Sequence, residues 1–130
     1  MGLFDRLKSQ RDIVKEEIKE VPWHMLTKME QLNEIEKESN SKPVAIFKHS
    51  NTCGISRMVL KNFEKNFGLE EDNLKLYFLD LKEYRDISNE IAARFNVNHE
   101  SPQIIVIKNE AVVHHDSHHS IDADHLAKFI

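Results

Sequence analysis

The sequence predicts an α/β fold in which helices pack on both faces of a mixed central sheet, a three-layer α/β/α sandwich. Apolar, β-favouring runs alternate with segments whose apolar residues recur at helical spacing, which is typical of parallel strands joined by helices. The last two runs are separated by a two-residue turn, which predicts an antiparallel pair. A chain of 130 residues with 40% hydrophobic residues can bury the core of one such domain.

The first twenty residues carry an amphipathic helical pattern of their own. Basic and acidic residues are balanced on its polar side, whereas a membrane-surface helix favours a basic polar face. We therefore predict that residues 1–20 are a helical extension that packs on a domain formed by residues 21–130. The apolar residues on or near one face are Leu3, Leu7, Val14 and Ile18.

The domain opens with a short strand and a helix. Residues Trp23 to Leu26, after Val21-Pro22, are predicted to form a short strand. Thr27-x-x-Glu30 is a capping-box pattern, so we expect a helix to begin there. Its apolar residues are Met29, Leu32 and Ile35, and a polar cluster at 39–41 ends it.

The next strand and helix surround the only cysteine. Val44 to Phe47 is a β-favouring run after a proline, and Arg57 to Phe67 has apolar residues at helical spacing. Gly68 supplies the expected helix stop. Cys53 lies where the strand gives way to the helix.

A further strand and helix follow at 74–81 and from about Ile87 to Phe95, ended by Asn96-Val97-Asn98. Gln103 to Lys108 and Ala111 to His115 then predict a hairpin, although its turn lacks the favoured glycine.

A final short helix is expected at 122–130, with Ser120 or Asp122 as its cap. The resulting order of elements is that of a thioredoxin-like fold, in which the reactive cysteine follows a strand's carboxyl end.

A thiol at a helix start is close to unpaired backbone N–H groups, here those of Gly54, Ile55 and Ser56, and this favours the thiolate. Ser56 occupies the position of the second cysteine in a Cys-x-x-Cys redox site. Its hydroxyl can donate a hydrogen bond to the thiolate but cannot form a disulfide. The alternative is that Cys53 is a small buried hydrophobic residue, as many free cysteines are.

Charge and cysteine content exclude several functions. The net charge is −4 and the pI about 6.1, which gives no electrostatic basis for binding nucleic acid or an anionic membrane. One cysteine excludes an internal disulfide. We find no signal peptide or apolar span of 18 residues, and these features favour the reducing cytoplasm.

Four motifs give a specific resemblance: F-K-H-S-N-T-C-G-I-S, I-S-N-E-I-A-A-R-F-N-V, H-E-S-P-Q and S-H-H-S-I. In this order and spacing, over residues 23–129, the chain resembles the monothiol bacilliredoxins. The resemblance implies a thioredoxin-like fold and a cytosolic redox role in bacteria that use bacillithiol as their small thiol. Members commonly have proline after the cysteine, where this chain has Gly54.

The resemblance also implies roles for individual residues. Cys53 is the nucleophile, with Thr52 and Ser56 beside it. Ser101 and Pro102, joined by a cis peptide bond, face the cysteine across the site. His118 matches a histidine of the family's S-H-W pattern and is either structural or part of the small-thiol pocket.

The implied reaction removes bacillithiol from protein mixed disulfides. The partners are bacillithiolated cytosolic proteins, bacillithiol as co-substrate, and either a further bacillithiol molecule or a partner reductase. No metal or organic cofactor is implied.

A histidine-rich tail suggests zinc or copper through His114, His115, His118, His119 and His125. Adjacent residues on a strand point to opposite faces, so His114 and His115 cannot converge. We expect a solvated edge without metal. His49, four residues before Cys53, can tune the thiol electrostatically or simply end its strand.

Two other functions compete with the redox assignment. C-G-I-S differs in one residue from the C-G-F-S of monothiol glutaredoxins, which carry iron-sulfur clusters. This chain has Ser120, Ile121 and Asp122 where those proteins use a Gly-Gly-x-Asp turn to bind glutathione. The other alternative is a non-catalytic thioredoxin-like binding module.

Overall fold

A buried strand, β2 (Val44–His49), forms the centre of the fold. The computed structural model describes residues 21–70 and 72–130. The predicted extension at 1–20 lies outside the described residues. The five strands of the sheet are β1 (Trp23–Met25), β2 (Val44–His49), β3 (Lys75–Asp80), β4 (Gln103–Lys108) and β5 (Ala111–Ser117). The described residues form the α-helices α1 (Gln31–Glu38), α2 (Gly54–Asn66) and α3 (Arg85–Arg94). Two 3₁₀ segments, His118–Ser120 and Ala123–Phe129, close the described chain.

The sheet order is β1-β3-β2-β4-β5. β2 pairs in parallel with β3, which pairs in parallel with β1. β4 runs antiparallel to both β2 and β5. The predicted mixed sheet and its carboxyl-terminal hairpin are therefore confirmed.

Helices cover both faces of β2, and this explains why all of its residues are buried. Ile46 faces a core that includes Ile35 of α1 and Ile91 of α3. Phe47 faces the opposite core, where its ring lies 5.3 Å from that of Phe63 in α2. The three-layer α/β/α sandwich is thus confirmed.

The capping box proposed at Thr27 and Glu30 is wrong. No side chain caps the first turn of α1, which begins at Gln31. Instead Gln31 reaches backwards, and its Oε1 accepts from the backbone N–H groups of Thr27 at 2.8 Å and Lys28 at 2.9 Å. The long amide side chain therefore ties the end of β1 to the helix that follows.

The end of α2 also differs from the prediction. The helix ends at Asn66, Phe67 is already extended, and Gly68 does not have a positive φ. The Phe67 ring is buried 5.8 Å from that of Phe63. Burial of this ring, and not a left-handed glycine, accompanies the end of the helix.

The predicted hairpin is confirmed without its glycine, because Asn109 (φ 53°) and Glu110 (φ 65°) both adopt the left-handed region. The final segment is 3₁₀ and not α-helical. Its cap is Asp122, whose Oδ1 accepts from Asp124 N at 2.9 Å, while Ser120 belongs to the preceding 3₁₀ turn. Among the residues described, no helix is long and apolar enough to cross a membrane.

Candidate functional site: the thiol at the start of helix α2

Cys53 is the N-cap residue of α2 and is partly exposed. Its backbone is extended (φ −99°, ψ 120°), and its carbonyl accepts from Arg57 N at 3.1 Å in the first helical hydrogen bond. At such a position the first N–H groups of the helix have no intrahelical partner. The thiol is therefore at the positive end of the helix dipole.

The loop that leads to the thiol is held by short polar contacts. Ser50 O accepts from Cys53 N at 3.2 Å, and Ser50 Oγ lies 3.2 Å from Thr52 Oγ1. Asn51 Nδ2 donates to Asp80 Oδ2, at the end of β3, at 3.3 Å. These contacts fix the position of Cys53 relative to the ends of the central strands. Thr52, expected beside the thiol, is exposed in this loop.

Ser56 is fully buried, and its hydroxyl contacts the strand instead of the thiol. Ser56 Oγ accepts from Ser50 N at 3.1 Å and lies 2.9 Å from His49 Nδ1. No hydrogen bond joins Ser56 to Cys53 in the part of the chain that the structure describes. The expected hydroxyl donor to the thiolate is thus engaged elsewhere, because α2 packs its first turn directly on the end of β2.

His49 is a buried partner that the sequence interpretation undervalued. Burial lowers its pKa, while a side-chain hydrogen bond to Asn51 and the charges of Asp80 and Glu64 oppose that shift. Burial thus favours the neutral imidazole, whose Nδ1 lies 2.9 Å from the Ser56 hydroxyl. Alternation along β2 places His49 on the same face as Phe47, towards α2, and this was the available signal.

An exposed apolar surface borders the thiol on α2. Ile55 is 45% and Met58 is 54% exposed. Gly54 is exposed as well, and a Cβ built on it would meet nothing within 4 Å. These residues leave one side of Cys53 open to a partner molecule.

The predicted cis bond between Ser101 and Pro102 is present. Gln103 pairs with Lys48 across antiparallel strands, so the start of β4 and the end of β2 lie at the same end of the sheet. The cis-proline loop therefore lies at the same end of the sheet as Cys53 and the start of α2. His118 is at this end of the sheet too, since its backbone N–H donates to Pro102 O at 3.0 Å.

A buried polar cluster beneath this loop was not predicted. Lys48 is completely buried, and burial lowers its pKa to about 8. Its Nζ donates to Ser88 O at 3.3 Å and lies 3.4 Å from His99 Nδ1. On the paired strand, Gln103 Nε2 donates to Asn98 O at 2.9 Å. The cluster links β2, α3 and the residues that precede the cis-proline.

The fold and the site together define a thioredoxin-fold thiol oxidoreductase. A solved structure described as a candidate oxidoreductase with a thioredoxin fold is 34% identical, with a TM-score of 0.69, covering 82% of this chain and 91% of its own. Two thioredoxins share the fold at lower identity. Mala s 13 from Malassezia sympodialis is 19% identical (TM-score 0.64, 85% and 88% covered), and thioredoxin O2 from Arabidopsis thaliana is 18% identical (TM-score 0.60, 82% and 89% covered).

The family model described as "Monothiol bacilliredoxin BrxC" matches residues 24–126. The chain therefore belongs to the monothiol bacilliredoxin family, as the motifs around Cys53 indicate.

Proposed function

We propose that this protein is a cytoplasmic monothiol oxidoreductase that removes bacillithiol from protein mixed disulfides through Cys53. The observation that carries the proposal is the position of the only cysteine, partly exposed at the N-cap of α2 within a match to the bacilliredoxin family. A thiolate is the reactive form in disulfide exchange, and a helix start favours it.

In the proposed reaction, the Cys53 thiolate attacks the bacillithiol sulfur of the mixed disulfide. A new disulfide forms between Cys53 and bacillithiol while the original disulfide breaks. The client cysteine leaves as a thiolate and takes a proton from water. No net oxidation occurs in this step, because one disulfide replaces another.

The capped enzyme needs an external thiol, because Ser56 occupies the position of a resolving cysteine and the chain has no second cysteine. A further bacillithiol thiolate attacks the cap, releases the Cys53 thiolate and leaves as oxidised bacillithiol. A partner reductase can supply the same two electrons from its own dithiol. No metal or organic cofactor takes part in these steps.

Two surfaces support recognition of a protein client. The backbone at Ser101, beside the cis-proline, can pair with an extended client segment next to the thiol. Ile55 and Met58 offer exposed apolar contact on the other side. In this proposal His118, hydrogen-bonded through its N–H to Pro102, borders the small-thiol pocket.

The test is removal of bacillithiol from a defined client protein carrying one mixed disulfide. The wild-type chain with free bacillithiol should release the cap, measured as loss of mass from the client. Cys53→Ser should abolish release while keeping the circular dichroism spectrum unchanged. Release by Cys53→Ser near the wild-type rate would remove Cys53 from the mechanism.

An iron-sulfur carrier of the glutaredoxin type has less support. Ile121 is buried against the core beneath α2, and Asp122 caps the last 3₁₀ segment, where the carrier needs an open glycine turn. Anaerobic reconstitution with iron, sulfide and glutathione or bacillithiol should leave a colourless monomer. A stable brown dimer containing two small-thiol molecules would instead establish the carrier function.

A further inference from the structure

We propose that His114, Asp116 and His125 form a binding site for Zn²⁺ at the outer edge of the sheet, separate from the thiol. Two imidazoles and one carboxylate are a ligand set that zinc accepts. Potential ligand atoms of all three residues lie within 4.8 Å of one another. The site differs from the simple histidine tract, because it uses only two histidines of the tail and adds a carboxylate.

A bulge in β5 directs the first two ligands to one face. Val112 pairs with Ile107 and His114 pairs with Val106, so the register shifts by one residue between them. Residues directly opposite each other on paired strands share a face. Val106 belongs to the core beneath α2, so His114 lies on that face, and Asp116, two residues further along β5, lies there too.

The same pairing separates the neighbouring histidine from the site. His115 is paired with Ile105, which belongs to the core beneath α1 and α3, so it faces the opposite side of the sheet. The expectation that His114 and His115 do not converge therefore agrees with the register. His115 provides a control of the same residue type on the same strand.

The distances are close to those that zinc requires. Asp116 Oδ2 lies 2.9 Å from His114 Nε2 and 3.6 Å from His125 Nδ1. Ligand atoms in a tetrahedral site with bonds of about 2.1 Å are roughly 3.4 Å apart. Small rotations of the three side chains, each partly exposed, would admit the ion without movement of the backbone.

Both histidines are already oriented by neighbours. The His114 ring packs on Phe129, with centroids 5.1 Å apart and planes tilted by 32°. The second nitrogen of His125, Nε2, lies 3.8 Å from Asp122 Oδ2. A carboxylate behind a metal-binding histidine is a common supporting group, because it orients the ring and raises its basicity. Asp122 is itself fixed as the cap of the last segment.

The ion would connect two separate elements of the chain. His114 and Asp116 belong to β5, whereas His125 belongs to the closing 3₁₀ segment. Three protein ligands leave a fourth position for water at this partly exposed place. A structural role follows, in which bound zinc holds the closing segment against the outer strand and stabilises the folded state.

The experiment is a titration of the full, untagged chain with zinc chloride. A Cys53→Ser background is used because thiolates bind zinc strongly. We expect one ion per chain by calorimetry, an increase in melting temperature, and a tetrahedral absorption spectrum with Co²⁺. His114→Ala, Asp116→Ala and His125→Ala should each weaken binding by more than about 100-fold, and Asp122→Asn by roughly 10- to 100-fold.

His115→Ala should bind zinc as tightly as the parent and give the same cobalt spectrum. The proposal is overturned if the parent binds zinc no more tightly than millimolar, or if His115→Ala loses as much affinity as His114→Ala. Circular dichroism of each variant separates loss of ligands from loss of fold. Because the thiol is absent from every variant, failure here would leave the proposed function of Cys53 unaffected.

Discussion

The hydroxyl of Ser56, in the first turn of α2, lies 2.9 Å from Nδ1 of His49, and both residues are buried. The contact joins the start of the helix that bears the thiol to the end of the central strand. A second hydrogen bond, from Ser50 N to the same hydroxyl at 3.1 Å, ties the loop between the strand and the helix to this contact. Ser56 is therefore a positioning residue whose side chain supports the place of Cys53.

Removal of this hydroxyl should destabilise the protein. Ser56→Ala leaves His49 Nδ1 and the Ser50 N–H without a partner in a buried place, which costs about 1–3 kcal/mol. Urea unfolding measures the change in free energy. Ser120→Ala, at an exposed serine, is the matched control and should stay within about 0.5 kcal/mol of the wild type. Equal effects of the two substitutions would contradict the proposed support.

A cysteine at the same position should convert the site to a dithiol. Positions 53 and 56 are the N-cap and the third residue of a helix, which is the spacing of the two cysteines in Cys-x-x-Cys redox sites. In Ser56→Cys the bacillithiol cap on Cys53 should be transient, since the new thiol displaces it. Intact mass over time is the measurement. A cap as stable as that of the wild type would show that the side chain at 56 cannot reach Cys53.

Proline should be tolerated at Gly54, where other family members commonly have it. Gly54 is the first helical residue, Cys53 is extended as a residue before proline must be, and a Cβ there meets no neighbour. Gly54→Pro should therefore raise the free energy of unfolding by about 0.4–1 kcal/mol, because the unfolded chain loses freedom. Gly54→Ala is the control without a fixed φ. A loss of stability in the proline variant alone would show that the Gly54 N–H has a required partner.

Because Lys48 is buried, the free energy of unfolding should increase as the pH rises from 8 to 10. Burial lowers its pKa from 10.5 to about 8, so in this range the unfolded chain binds more protons than the folded chain. Stability then increases with pH. Burial is the main cause that raises the pKa of Tyr77 to about 12. This shift makes stability fall with rising pH, but only above pH 10.

The measurement is urea unfolding across this pH range in the wild type and in Lys48→Met. The increase should be absent from Lys48→Met, which has no charge to lose. Lys61→Met, at an exposed lysine of α2, should retain it. Parallel pH profiles for all three proteins would mean that Lys48 titrates normally.

The sequence predicted the elements better than it predicted their contacts. The bounds of β4 follow from its run of apolar, β-favouring residues. The helix start at Cys53 follows from the position of this residue between a strand and a helical run. The bond between His49 and Ser56 depends on how closely α2 approaches β2, and no periodicity encodes that distance. The predicted β-favouring run ends at Phe47, and nothing in the sequence indicates that the next residue, Lys48, is buried. The carbonyl that accepts from Lys48 belongs to Ser88, 40 residues away. Long-range partners of this kind become visible only when the chain is folded.

The most direct test of the proposed function is the intact mass of the chain after incubation with oxidised bacillithiol and, separately, with oxidised glutathione. We predict one bacillithiol per chain, located on Cys53 by peptide mapping and absent from Cys53→Ser, with glutathione added much more slowly. A chain that remains uncapped by bacillithiol, or that is capped equally fast by glutathione, would contradict the assignment of bacillithiol as its small thiol.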